Sequence, residues 1–213
     1  MVYFCAVKTA EGSKSTRTRQ FIIERSSALF NKKGLAGTSI SDIIKSTGLT
    51  KGSIYGNFKD KEEVAMAVFE YNVQFMLGNL YERLERQQGA IDKLLEYPKY
   101  FRDEYERIFE NGGCAILNTS VEADDTHQEL KDQVTFTIKK WESHLIDIIE
   151  QGKKQSEIHS ELNSYKYASL FIGTFEGGVM LSKVTGETKY LLYALDHLES
   201  LIINHLKINT TKI

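Results

Sequence analysis

Residues 39–58 read SISDIIKSTGLTKGSIYGNF, and this stretch decides the fold. Ile40, Ile43 and Ile44 fall on one face of a short helix that Ser39 or Ser41 can cap, because a serine hydroxyl accepts an N–H of the first turn. Thr47, Gly48 and Leu49 make a tight turn, and a third short helix then runs from about Thr50 to Phe58, burying Ile54 and Phe58. A helix, a glycine-containing turn and a short helix make the helix-turn-helix pattern. Gly48 permits the turn. Gly52 removes a side chain at the start of the second helix of the pair, which lets its backbone approach a duplex closely and costs about 1 kcal/mol of helix propensity. Lys51, Ser53, Tyr55, Asn57 and Lys61 are left facing outward, a mixture of charge, hydroxyl and amide suited to phosphates and base edges.

The flanking sequence supplies the rest of a small bundle. From Thr16 the spacing is helical, with Ile22, Ser26, Leu29 and Phe30 on one face. Lys32 and Lys33 close that helix at its negative dipole end, and Gly34 can take the left-handed conformation that stops it. Asp60, with Glu63 three residues on, forms a capping box for a long fourth helix through Val64, Val68, Tyr71 and Phe75 to about Gln88. Further helices are expected with Pro98 in the first turn of one ending near Glu110, over residues 114–123 after Gly112 and Gly113, and from residues 124–126 to Gly152. Two more cover about residues 164–184 and 188–206. The expected fold is all-α. It has an N-terminal three-helix DNA-binding bundle with a helix-turn-helix at 16–64 and a larger helical domain at 65–213, joined through the long fourth helix.

Composition agrees. One proline in 213 residues, with 41% apolar and 26% charged residues, suits long amphipathic helices. The net charge of −2 hides a polarity: up to Glu63 there are 11 basic and 6 acidic residues, and beyond it 16 basic and 23 acidic. A basic head on an acidic body points to a polyanion at one end and a different partner at the other. No uncharged run approaches the roughly 20 residues of a membrane span, and residues 1–7 are apolar but too short and unflanked for a signal peptide. Cys5 and Cys114 lack the paired spacing of a disulfide framework or a cysteine zinc site. The absence of a glycine-rich phosphate loop, a nucleophile elbow or metal-ligand spacing argues against an enzyme and against a cofactor. The location expected is cytoplasmic.

Three runs are more specific. They are Thr18, Ile22, Leu29, Phe30 and Gly34 in 18–34; T-S-I-x-D-I at 38–43; and G-L-T-K-G-S-I-Y-x-x-F-x-x-K-E-E at 48–63. Together they closely resemble the TetR-type (AcrR-like) transcriptional regulators over about residues 16–68. The resemblance implies a homodimer whose first three helices bind a partly palindromic double-stranded DNA operator, and whose remainder senses a small-molecule inducer that releases the repressor. It also implies phosphate contacts for Thr38, Ser39, Lys51, Tyr55 and Lys61, and a base-reading surface at Gly52, Ser53 and Asn57. The sequence departs from the family pattern at Gly56 and Asn57, where an aromatic or histidine is common at the second position. A packing role for Tyr55 stays open beside the contact. A helical ligand-binding or scaffold protein without DNA binding is the alternative reading.

The body names its ligand only by class. Of 23 aromatic residues, 17 follow Val64. Phe75, Phe101, Tyr105, Phe109, Trp141 and Phe175 are candidates for an apolar or aromatic inducer pocket, with ordinary core packing as the other reading. Cys114, at a helix start, is a candidate redox sensor or an inert buried thiol. Glu122, Asp124, Asp125 and His127 fit helix capping better than metal ligation; no metal is expected. Asn118 and Asn209 match a glycosylation pattern that has no meaning in a cytoplasmic chain. Leu191, Leu195, Leu198, Ile202 and His205 repeat at about 3.5 residues and are expected to form the dimer seam through the last two helices, with no membrane partner.

Overall fold

A computed structural model describes residues 13–208; residues 1–7 with Cys5, and Asn209, lie outside them. The described residues form α1 (Lys14–Lys33), α2 (Ile40–Thr47), α3 (Lys51–Tyr55), α4 (Lys61–Leu77), α5 (Leu80–Glu85), α6 (Ala90–Glu110), α7 (Ala115–Ala123), α8 (Gln128–Lys154), α9 (Ser164–Thr185) and α10 (Lys189–Leu201), with a π-helical turn at Ile202–Leu206. Among them the only β pairing is an isolated bridge between Ile158 and Lys207. The chain divides into two compact units that interleave in sequence. One takes residues up to Gly78 together with Glu110–Val134, and the other takes Asn79–Phe109 together with the residues from Thr135 on. The first unit therefore adds α7 and the start of α8 to the helices expected of the head.

Local chemistry sets the first unit's helix ends. Ser13 caps α1 through the Thr16 N–H, and Gly34 ends it at φ 72°. At α2 the Ser39 hydroxyl accepts the Asp42 N–H while the Asp42 carboxylate accepts the Ser39 N–H, a full capping box. Gly48 follows in the left-handed region at φ 71°, and Thr50 caps α3 by accepting the Ser53 N–H at 3.2 Å. Asp60 caps α4 through the Glu63 N–H at 2.8 Å. The reciprocal half of that box is shifted: Glu63 takes the Lys59 N–H at 2.7 Å, not that of Asp60. Ile22, Phe30, Ile43, Ile54, Phe58, Val64 and Val68 then close one apolar core from α1 to α4. Burial of each such side chain stabilises the bundle by about 1.5–3 kcal/mol.

Four expectations need correction. The fourth helix does not reach Gln88: α4 ends at Leu77, Gly78 turns the chain at φ 45° and α5 starts at Leu80. It lies wholly in the first unit and is not the element that spans head and body. Pro98 is not in a first turn but inside α6. Its missing N–H leaves the Leu94 carbonyl without the usual donor, and burial of Leu94, Tyr97, Tyr100 and Phe101 holds the helix regardless. The cap of α8 is His127, whose Nδ1 accepts the Leu130 N–H at 3.3 Å; Asp124 instead closes α7. Finally, Leu191, Leu195, Leu198 and Ile202 are buried within their own chain, where α10 packs on α9, and are not a seam for a second copy. Gly178 allows that contact, because a Cβ there would meet Ala194 and the Leu191 backbone.

In the second unit Arg83 pairs with Glu96 and Asp103, tying α5 to α6. Arg102 pairs with Asp196 and Glu199 at 2.9 and 2.8 Å, tying α6 to α10.

Candidate nucleic-acid interface

The short helix α3 is held by one buried residue, Ile54, and shows its other side to solvent. Lys51, Gly52 and Tyr55 are exposed. The Lys51 ammonium stands 5.8 Å from the Tyr55 ring centroid, and 43% of Tyr55 is accessible. Tyr55 is thus partly covered and open to solvent on the side that carries Lys51. A Cβ built on Gly52 would find open space, its nearest neighbour being the Thr50 hydroxyl at 3.9 Å. The fold does not require glycine there. Ser53 is half-buried. Asn57, just beyond α3, has local work: its amide donates to the Ser53 carbonyl at 2.8 Å and its carbonyl accepts from Ser15 at 3.2 Å.

The remaining three candidate positions border the loop between α1 and α2. Thr38 is buried to 1% exposure, and its hydroxyl donates to the Gly34 carbonyl at 2.6 Å. Ser39 is exposed but engaged in the α2 cap, its hydroxyl 2.7 Å from the Asp42 carboxylate. That hydroxyl and the Ser39 N–H hold the Asp42 carboxyl down at about 2, from an ordinary 3.8. Lys61 donates to two backbone carbonyls, of Leu35 at 2.7 Å and Thr38 at 3.0 Å. An ammonium has three donors, so one is left to point elsewhere.

Two residues shape this surface without a sequence signal for it. Arg19 lies 4.2 Å from the Phe58 ring centroid and pairs with Glu63 at 2.8 Å. Arg25 donates to the Ser46 carbonyl at 3.0 Å. Arg19 ties α1 to the segment after α3 and to the start of α4, and Arg25 ties α1 to α2; each bridges more than 20 positions of sequence, which no local pattern records. Behind the head, Asn72 accepts from Ser27 at 2.5 Å and from Asn111 at 3.0 Å. Asn31 donates to the Asn111 and Gly113 carbonyls at 2.8 and 3.0 Å, and Asn118 donates to Asn31. Such a satisfied buried network orients α1, α4 and the start of α7 through directional bonds.

The inducer-pocket candidates divide. Phe101, Trp141 and Phe175 come together in the second unit, with Phe175 4.1 Å from Phe101 and 5.7 Å from Trp141, centroid to centroid. Tyr97 joins them through Phe171 at 5.5 Å. Tyr105 and Phe109 are half-buried further along α6, the Tyr105 hydroxyl donating to Glu106 at 3.2 Å. Phe75 belongs to the first unit and stacks on Tyr71 at 6.5 Å. The Tyr97 hydroxyl, Trp141 Nε1 and His144 Nε2 are buried polar atoms without a hydrogen-bond partner among the described residues. Burial also drives the Tyr97 hydroxyl pKa well up and the His144 pKa down. Sequence reasoning singled out Trp141 as an aromatic, not as a donor.

Cys114 is buried and caps α7, its sulfur accepting the Leu117 N–H at 3.5 Å. Among the described residues no group of three His, Cys, Asp or Glu side chains is arranged to hold a metal ion, and no helix is long and apolar enough to cross a membrane.

Comparison with known proteins finds family matches over two stretches of the chain. Residues 22–68 match the description "Bacterial regulatory proteins, tetR family" and residues 89–198 match "Tetracyclin repressor-like, C-terminal domain". A crystal structure of a TetR-family transcriptional regulator from Cytophaga hutchinsonii is 40% identical, with TM-score 0.87 over 93% of this chain and 99% of that one. A TetR transcriptional regulator from Chloroflexus aurantiacus J-10-FL is 35% identical, with TM-score 0.86 over 92% and 98%. The HTH-type transcriptional repressor DhaR of Mycobacterium sp. (strain GP1) is 22% identical over 79% of this chain and 84% of its own length.

Proposed function

The chain belongs to the TetR family of bacterial transcriptional regulators, and from this we propose that it is a homodimeric repressor, released from a partly palindromic operator by a small aromatic inducer. One observation carries the DNA half of this reading. α3 presents Lys51, Gly52 and Tyr55 on an open face where the fold has no use for glycine. Alanine there is sterically allowed and about 1 kcal/mol better for a helix, so close approach of a duplex backbone is the remaining reason for its absence. Lys51 and Tyr55 serve phosphates, and Gly52, Ser53 and Asn57 face the base edges. Thr38, Ser39 and Lys61 act chiefly by shaping the α1–α2 loop, with the third Lys61 donor left for a phosphate.

The dimer surface of this proposal is the outward side of α9. Leu170, Gly173, Gly177, Met180, Leu181 and Val184 recur at heptad-like spacing, and the four large ones are exposed; Gly173 and Gly177 have nothing close to a built Cβ. Small residues within an apolar stripe let a second backbone approach, and exposed Tyr193 on α10 extends the patch. Such a pairing can set two recognition helices about 34–36 Å apart, one turn of duplex.

The inducer seat of this proposal is the Phe101–Trp141–Phe175 cluster. The buried donors of Tyr97 and Trp141 favour a flat apolar molecule carrying a hydrogen-bond acceptor, since an unmatched buried donor costs about 1–3 kcal/mol. Such a ligand changes DNA occupancy only by its preference for the DNA-incompetent state. Selection of bound fragments from a random duplex library tests the reading. Enrichment of a two-fold-related motif is the expected result, and failure to enrich any sequence at low salt would overturn it.

A further inference from the structure

The loop between α1 and α2 is held from two opposite chemical sides. The Glu122 carboxylate, near the end of α7, accepts the backbone N–H of Leu35 at 2.9 Å and of Ala36 at 2.7 Å. The Lys61 ammonium, at the start of α4, takes the carbonyls of Leu35 and Thr38 at 2.7 and 3.0 Å. An anion on the donors and a cation on the acceptors grip adjoining peptide units, each through charge-assisted bonds. The loop and the ends of α7 and α4 that hold it all belong to the first unit.

Gly34 is fitted to this arrangement twice over. Its φ of 72° suits glycine, and a Cβ there would collide with the Glu122 carboxylate. The carboxylate end of the Glu122 side chain thus lies directly against Gly34, and its two backbone N–H bonds fix it there. Beneath the loop, a cavity of about 20 Å³ borders Phe30, Leu35, Val68 and Glu122, roughly room for one water. The two charged groups act beside the packing of Leu35 on the core and the burial of Thr38.

We propose that Glu122, with Lys61, is a positioning residue for DNA recognition: the α7 carboxylate sets the loop that leads into α2, and so the angle at which α2 and α3 are presented to the duplex. Neither side chain needs to touch a base for this. The inference rests on the DNA-binding reading above, but the clamp itself is measurable without DNA.

The test uses the full chain and the duplex that the wild-type protein enriches, with Glu122→Gln as the principal variant, because glutamine keeps the shape and has one accepting oxygen in place of two. Glu122→Ala and Lys51→Ala serve as companions. In Glu122→Gln, amide exchange at Leu35 and Ala36 should accelerate at least tenfold while protection in α1 and α4 and the melting temperature stay close to wild type. Duplex affinity should fall at least tenfold at every salt concentration, leaving the salt slope unchanged. Lys51→Ala should reduce the slope and leave exchange alone. If Leu35 and Ala36 exchange as in wild type in both Glu122 variants, the clamp is refuted. Faster exchange with undiminished affinity overturns its role in recognition. A wild-type protein that enriches no duplex removes the regulator reading and the positioning role with it, while exchange still decides whether the clamp exists.

Discussion

Lys51 is exposed at the start of α3, its ammonium over the Tyr55 ring. Lys61 is half-buried and donates to two carbonyls. The same side chain in the same short stretch thus does two jobs, and substitution separates them. A phosphate contact contributes about −0.9 to the slope of log affinity against log salt, so Lys51→Ala should flatten that slope by about one contact, with a melting temperature near wild type. Fluorescence anisotropy from 50 to 300 mM salt (about one to six times the lowest value) checks this; an unaltered slope would remove Lys51 from the backbone contacts. In the sequence both lysines read as phosphate contacts, and nothing local marks Lys61 as different. Its acceptors lie 23 and 26 positions away.

At the scale of elements, α2 is stabilised at its start by the Ser39–Asp42 box and stopped by Gly48. The Gly48 turn was legible, because a left-handed glycine acts locally, whereas the sequence left the cap open between Ser39 and Ser41 and the structure gives it to Ser39. The box makes α2 acid-sensitive in a definite direction. Asp42 titrates lower in the folded chain, near 2 against an ordinary 3.8, so its contribution is fully present above the unfolded value and is lost as pH falls through the folded one. Helix content and backbone shifts of α2, followed from pH 5 to 2 (on the order of the carboxylate range), should decline in wild type, with Asp42→Asn weaker at pH 5 and much less responsive below it. Equal acid profiles for the two proteins would contradict the assignment. Pro98 and Gly78 were less legible. A proline preferred in first turns sits in the middle of α6, and a glycine inside an apolar periodic run ends α4. At Pro98 tertiary burial outweighed a helix-interior cost of about 3 kcal/mol, whereas at Gly78 the chain followed glycine's own preference of about 1 kcal/mol against a helix interior, which the apolar period had hidden.

At the scale of the whole molecule, α9 and α10 have two kinds of apolar residue. Leu191, Leu195 and Leu198 fill the chain's own core, whereas Leu170, Met180, Leu181 and Val184 are exposed. The proposed dimer predicts that Leu181→Arg with Val184→Glu yields folded monomers by sedimentation velocity, with a melting curve that no longer shifts with concentration. By contrast, Leu195→Arg should prevent folding outright, because it buries an unpaired charge. A dimer that survives the paired substitution would move the interface elsewhere.

The helical fold, the helix-turn-helix, most helix ends and the family were determined by the sequence itself. Each depends on interactions within a few residues: caps, a left-handed glycine, a 3.6-residue apolar period. The tertiary structure alone decided which apolar stripe stays inside, which lysine is drawn into the loop and which residues of the body come together. It alone joined Glu122 to a loop 86 and 87 positions earlier. A carboxylate has no local preference for donors that far along the chain; only the packed backbone brings the two within reach.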